Sequence, residues 1–263
     1  MKTLGIVFLI LLAGCGQADS KENKFPIEIT QLDDGLKGIV WLPGGGIKPN
    51  QPWVWFAPTW ITNNEGNVGG MPSVAPDKGG FDIIIKQFND RGIALVGVDV
   101  GITFGNKKGR DGFSKFYKHL TQDRGFSQTG CMLLVSQGGM MGYTWILENP
   151  GVIKCVGGIF PITSVEDYHG LSYFAHMWGI TEQFLTDNLA SLNPLHRAAE
   201  FNFPIMHIHG DQDQAARIEY ARQFFSATPQ GTLVELPGVG HEYKRGELFE
   251  NDQLIDFVIK HTK

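Results

Sequence analysis

Several things are missing from this 263-residue chain, and each absence narrows its chemistry. No His, Cys and Asp residues fall at metal-ligand spacing, and no glycine-rich loop fits a dinucleotide, so no cofactor is expected. No basic patch and no interleaving of basic with aromatic residues is present, which argues against nucleic acid as a partner. Charge of either sign is unremarkable, with 22 Lys and Arg against 27 Asp and Glu. Cysteine is scarce, at three residues. No internal repeat and no second domain can be read. The apolar run at residues 4–12 is shorter than a membrane-spanning helix requires.

What is there begins at that run. One positive charge, Lys2, precedes it, and Leu12-Ala13-Gly14-Cys15 follows. This is the pattern of a secretory signal, and its end resembles a bacterial lipobox. Residues 1–14 are expected to be removed, and Cys15 to be lipidated as the new N-terminus. Several acyl chains would hold the protein stably on a membrane of the bacterial cell envelope, as one would not. Residues 15–25 read as a polar tether. Losing Lys2 leaves 21 basic against 27 acidic residues. Residues 26–263, about 240 in number, suffice for one large domain with a substantial core. Cys131 and Cys155 each open a predicted buried strand. Export permits a disulfide between them, but adjacent parallel strands rarely offer its geometry, and two buried thiols are expected.

Along that domain, residues 26–32 and 37–42 read as strands joined by the turn Asp33-Asp34-Gly35. Trp53 to Ala57 forms a compact apolar strand. Residues 61–80 are rich in Gly, Asn and Pro, and a loop of that length is usually functional. Strand and helix then alternate. Helices are expected at 81–90, 111–124, 194–201, 215–226 and 252–261, and strands at 93–100, 131–135, 155–160, 205–209 and 232–236. Residues 161–193 read as an irregular, aromatic lid. An antiparallel start followed by strand-helix units gives an α/β fold, a mostly parallel sheet with helices on both faces.

One stretch organises the rest. Cys131 to Val135 is an apolar run typical of a fully buried strand. Ser136-Gln137-Gly138-Gly139 follows, and then an apolar helical segment that Asn149-Pro150 stops. A strand, a serine at a tight turn and a helix form the setting of a nucleophile elbow, in which the turn lifts the hydroxyl above the sheet. An ordinary turn with a capping serine is the alternative. Ligands of such sheets bind at the carboxyl ends of the strands. Two further loops there carry the partners that a serine needs. Asp213 lies in His209-Gly210-Asp211-Gln212-Asp213, and His241 in Pro237-Gly238-Val239-Gly240-His241. A serine hydroxyl is a poor nucleophile until an imidazole takes its proton, and the imidazole needs a carboxylate to fix its tautomer. Asp211, Glu166 and Asp167 are alternatives to Asp213 as the acid. His207 and His209 read as core or rim residues. The oxyanion of an acyl transfer needs two donors, expected from the backbone N–H of Gln137 and that of Thr59 or Trp60. Trp60, Tyr168, Phe174 and Trp178 could stack on a sugar or form the lid's own small core.

These pieces carry a resemblance. Pro52-Trp53-Val54-Trp55, Ser136-Gln137-Gly138-Gly139, Gly210-Asp211-Gln212-Asp213 and Gly238-Val239-Gly240-His241 look like an exported bacterial branch of the α/β-hydrolase superfamily. The resemblance covers nearly all of residues 26–263. It implies a serine ester hydrolase acting on acylated carbohydrate or other small esters, with Ser136, Asp213 and His241 as the triad. A lipase or peptidase using the same triad is a second reading, and an inactive surface protein that binds glycans is a third. Two positions depart from the pattern. A small residue usually stands two before the serine, where Leu134 stands here. Arg usually follows the serine, where this chain has Gln137 and so lacks a guanidinium to grip a carboxylate.

Overall fold

Every residue of the strand Gly130–Val135 is buried, because neighbours flank it on both edges and helices cover both of its faces. The computed structural model describes residues 26–32, 35–57, 80–241 and 251–263. The expected signal, the tether and Cys15 lie outside them, as do residues 61–79 of the long loop. The sheet contains β1 (Ile27–Gln31), β2 (Lys37–Trp41), β3 (Trp53–Ala57), β4 (Ala94–Asp99), β5 (Gly130–Val135), β6 (Ile153–Ile159), β7 (Ile205–Gly210) and β8 (Gly231–Leu236). Their order is β1-β2-β4-β3-β5-β6-β7-β8. The pairs β1–β2 and β2–β4 are antiparallel, and the remaining pairs are parallel.

The period-two alternation of the strands divides the core. Val54, Phe56, Leu95, Leu133 and Ile208 point to one face. There α1 (Gly80–Asn89) and α8 (Asp252–Thr262) cover them with Ile84, Phe88, Leu254 and Val258. Trp53, Trp55, Val96, Met132 and Leu134 point to the other. That face is covered by α2 (Lys107–Lys118), α3 (Gly138–Glu148) and α7 (Ile218–Ala227), through Phe113, Phe116, Tyr143, Trp145 and Phe224. Central strands buried on both faces read as continuous apolar runs, which is why β3 and β5 are so legible in the sequence.

Residues 161–193 are more regular than expected. They contain α4 (Gly170–Trp178), α5 (Glu182–Asp187) and α6 (Leu189–Leu192). Gly179 ends α4 with φ +69°, and the Thr181 side chain caps α5 by accepting from the Phe184 N–H. Helices this short have little periodicity to read. Phe174 and Leu185 are buried with Phe104, Met140 and Ile162 in a cluster of their own. Elsewhere α2 begins at Lys107 instead of 111, because the Asn106 side chain caps it at Gly109, and it ends in a π turn, His119–Asp123. The start of α7 falls at 218 instead of 215, since the Ala215 and Ala216 amides bond to the Asp213 carboxylate.

The expectation of two free thiols is corrected. Cys131 and Cys155 form a disulfide. They are direct register partners on β5 and β6, with Cα atoms 4.7 Å apart, inside the range a bridge can span. The scarcity of such bridges between parallel neighbours was a poor guide at this position.

Leu134 is accommodated by the opposite element. A Cβ at Gly142 of α3 would lie 2.5 Å from a Leu134 methyl. The small residue that close strand–helix packing demands is therefore on the helix, and the strand keeps its leucine. Two outcomes follow. Gly142→Ala should lower stability by about 1–3 kcal/mol in the native background and by clearly less beside Leu134→Ala. Equal losses in both denaturation series would contradict this packing. Replacing Cys131 and Cys155 together by alanine should cost about 2–4 kcal/mol. Alkylation of the denatured, unreduced protein should modify neither cysteine, and modification of both would disprove the bridge.

Candidate active site

The sheet winds outward in opposite senses from its centre, since β4 lies to one side of β3 and β5 to the other. A crevice opens at the carboxyl ends of strands where the winding reverses, and Ser136 follows the last residue of β5. Its φ is +53°, a left-handed conformation that non-glycine residues avoid, at a cost of about 1–3 kcal/mol. The surrounding backbone holds it there. The Ser136 N–H donates to the Ile159 carbonyl at 3.2 Å, and its own carbonyl accepts from Gly139 at 2.9 Å and Ile162 at 2.8 Å. Gly139 is required for this crossing, because a Cβ would lie 2.4 Å from the Ile162 oxygen. The apex of the turn is thus Ser136. Gln137 has ordinary right-handed geometry as the N-cap of α3, whose N-terminus favours negative charge nearby.

Asp213 sits in the turn after β7 and is 1% exposed. Its Oδ1 accepts from the amides of Ala215 and Ala216, each at 2.9 Å. Its Oδ2 lies 2.7 Å from His241 Nδ1. On the far side of the ring, His241 Nε2 lies 3.0 Å from Ser136 Oγ. A buried carboxylate flanked by two amides is an acceptor, so Nδ1 carries the imidazole proton and Nε2 is left to accept from the serine hydroxyl. The Phe160 ring packs against the imidazole, with centroids 4.3 Å apart.

The loop carrying His241 is anchored from β7. The Gly238 amide donates to Asp211 Oδ1 at 2.7 Å, and the Gln212 amide to the Val239 carbonyl at 2.9 Å. A Cβ at Gly210 would meet that carbonyl at 2.1 Å. Asp211, an alternative acid in the sequence, is therefore a strut for the loop. Asp167 is turned away as well. Its buried carboxylate accepts from the Arg217 amide and guanidinium. Burial raises its pKa, against the pull of the Tyr168 amide and Arg217. Glu166 contacts His196 and Asn193.

Thr59 and Trp60, the expected second oxyanion donor and its alternative, lie outside the described residues. Of the aromatic residues considered for stacking, Phe174 is fully buried, and Trp178 donates its ring N–H to the Phe104 carbonyl; both belong to the small core under the lid. Tyr168 is exposed, and its ring lies against Phe104 and His169. Four of the five non-glycine residues with positive φ among the described residues are Phe104, Ser136, Phe160 and Tyr168. All four sit in chain leaving the carboxyl ends of β4, β5 and β6. Only Ser136 had a sequence signal, as strain at an aromatic residue has no local motif. His207 and His209 are buried, as read. Tyr143 bonds to His207 at 2.6 Å, and burial holds the pKa of His207 well below the usual value. Among the described residues no group of three or more His, Cys, Asp or Glu is placed to hold a metal ion.

No protein-family model matches the chain. A stretch of 119 residues is 29% identical to a Bacillus subtilis protein described as the uncharacterized peptidase YuxL, covering 42% of this chain and 18% of that protein's length. Solved structures share the architecture at low identity. A puromycin-hydrolyzing peptidase of Mycobacterium tuberculosis superposes with a TM-score of 0.69 at 16% identity, over 90% of this chain and 39% of its own. Est1E from Butyrivibrio proteoclasticus gives 0.63 at 16% identity, over 87% of this chain and 96% of its own. A cold-adapted esterase from an Arctic intertidal metagenomic library gives 0.60 at 16% identity, over 95% and 100%. The sheet order, the strained serine after β5 and these superpositions agree, and the chain has the α/β-hydrolase fold.

Proposed function

We propose that this protein is a serine hydrolase that cleaves carboxylic esters through an acyl-serine intermediate. The observation that carries the reading is the continuous contact from Asp213 through His241 to Ser136, at 2.7 and 3.0 Å, ending on a serine held in a left-handed turn. Ser136 Oγ attacks the ester carbonyl carbon as its proton passes to His241 Nε2. The resulting oxyanion is held by the backbone N–H groups of Gln137 and Thr59. The bond to the alcohol breaks, and the alkoxide takes the proton from Nε2. Water then loses a proton to Nε2 and attacks the acyl-serine, and the bond to Oγ breaks as Nε2 returns that proton to Ser136 and the acid is freed. Asp213 fixes the tautomer of His241 and balances the imidazolium.

A small or carbohydrate-borne ester is the proposed substrate class. The curated relative is described as a peptidase, so amide cleavage on the same three residues is the second reading. An inactive glycan-binding protein is disfavoured, since a strained serine and a buried carboxylate aimed at one imidazole would serve no purpose in it. We also propose that Cys15 is lipidated and tethers the enzyme to a cell-envelope membrane. The described residues include no helix long and apolar enough to cross one.

Ser136→Ala should reduce turnover of p-nitrophenyl acetate by about 10⁴-fold or more, and unchanged turnover would reject the assignment. Asp213→Asn should cost on the order of 10⁴-fold. Asp211→Asn should stay within about tenfold, because an amide oxygen can still accept from Gly238. A reversal of that order would make Asp211 the acid. Cys15→Ser should move the expressed protein from the membrane to the soluble fraction, and an unchanged distribution would remove the lipid anchor.

A further inference from the structure

A second histidine lies against the acid, and the reaction described above does not use it. His209 is the penultimate residue of β7, and its side chain is 1% exposed. Its Nε2 lies 2.6 Å from the Ala216 carbonyl and 3.6 Å from Asp213 Oδ2. A carbonyl only accepts, so Nε2 carries the proton and donates it to Ala216. The other nitrogen, Nδ1, is buried with no hydrogen-bond partner among the described residues. A buried acceptor without a protein partner is unfavourable, and an aliphatic residue of similar size would fill the same space without one. Something other than core packing favours the imidazole here.

The turn it grips explains what that is. Ala216 presents its carbonyl to His209 and its amide to Asp213 Oδ1. We infer that His209 is a positioning residue for the catalytic acid: by pinning the Ala216 peptide it fixes the turn that orients Asp213 toward His241. The proposal rests on the triad reading of the previous subsection for its kinetic consequence, and on geometry alone for its structural one. Burial, the largest influence on His209, lowers its pKa, against the Ala216 carbonyl and Asp213. The ring is therefore neutral near pH 7. A neutral donor aimed at Ala216 leaves the charge of Asp213 to its one short imidazole partner, His241. A cation at the same place would compete for that charge.

The test compares three substitutions. Gln places a donor N–H at nearly the same reach as Nε2, Asn is polar but too short to reach Ala216, and Leu has no donor. Thermal denaturation identifies the variants that fold. With p-nitrophenyl acetate, His209→Gln should stay within about threefold of wild-type kcat. His209→Asn and His209→Leu should lose about 10–100-fold in kcat with little change in KM, as expected when a catalytic group is misplaced without loss of substrate contacts. A second readout does not depend on turnover. The low-field proton resonance of His241 Nδ1, the mark of its short bond to Asp213, should persist in His209→Gln and vanish in His209→Asn. Wild-type kcat in folded His209→Asn, or a Gln variant as impaired as Leu, would overturn the proposal. If the wild type has no esterase or amidase activity but the resonance responds as described, the triad reading fails while the positioning role stands.

Discussion

The left-handed backbone at Ser136 is the constraint on which the rest depends. A non-glycine residue with φ +53° is held there only if its surroundings leave no alternative. The amide is tied to Ile159 at the end of β6, and the carbonyl to Ile162 just beyond it. The turn is thus pinned by the strand next door. The disulfide joins β5 and β6 near their other ends, which restricts sliding of one strand against the other. Gly139 lets the chain after β6 pass over the first turn of α3, and Gly142 lets α3 settle on Leu134. Each contact is ordinary by itself. Together they place one hydroxyl above the sheet edge and fix its direction.

The partners of that hydroxyl are built on a similar plan. Among the described residues, the chain just after β7 and the chain just after β8 hold each other. Asp211 reaches across to Gly238, Gln212 to Val239, and Gly210 has no Cβ because the Val239 carbonyl occupies its place. The two loops consequently behave as one unit, which delivers Asp213 and His241 together. Preorganisation of this kind matters because donors and acceptors already aimed at the reacting atoms need little rearrangement during reaction.

Much of this was legible in the sequence. The strands from β3 to β7 announced themselves as apolar runs because burial on both faces demands them, and Ser136, Asp213 and His241 could be placed in loops at strand ends. Asp213 was separable from Asp211 only by its distance past the strand; in the structure Asp211 reaches across to Gly238 and Asp213 contacts His241. Three things escaped. The helices of residues 161–193 are too short for their periodicity to register. The Cys131–Cys155 bridge depends on exact register between two strands, which no local pattern encodes. The role of Leu134 could not be judged without seeing that Gly142, eight residues later, had given up its side chain instead. His209 was read correctly as buried, but its grip on Ala216 is a fact of three dimensions.

The most direct measurement of the central claim is covalent. Treatment with a fluorophosphonate, followed by peptide mass spectrometry, identifies any serine whose hydroxyl is activated by a neighbouring imidazole. Stoichiometric modification confined to Ser136, and lost when His241 is replaced by alanine, is the predicted result. No modification, modification of another serine, or modification that persists without His241 would contradict it.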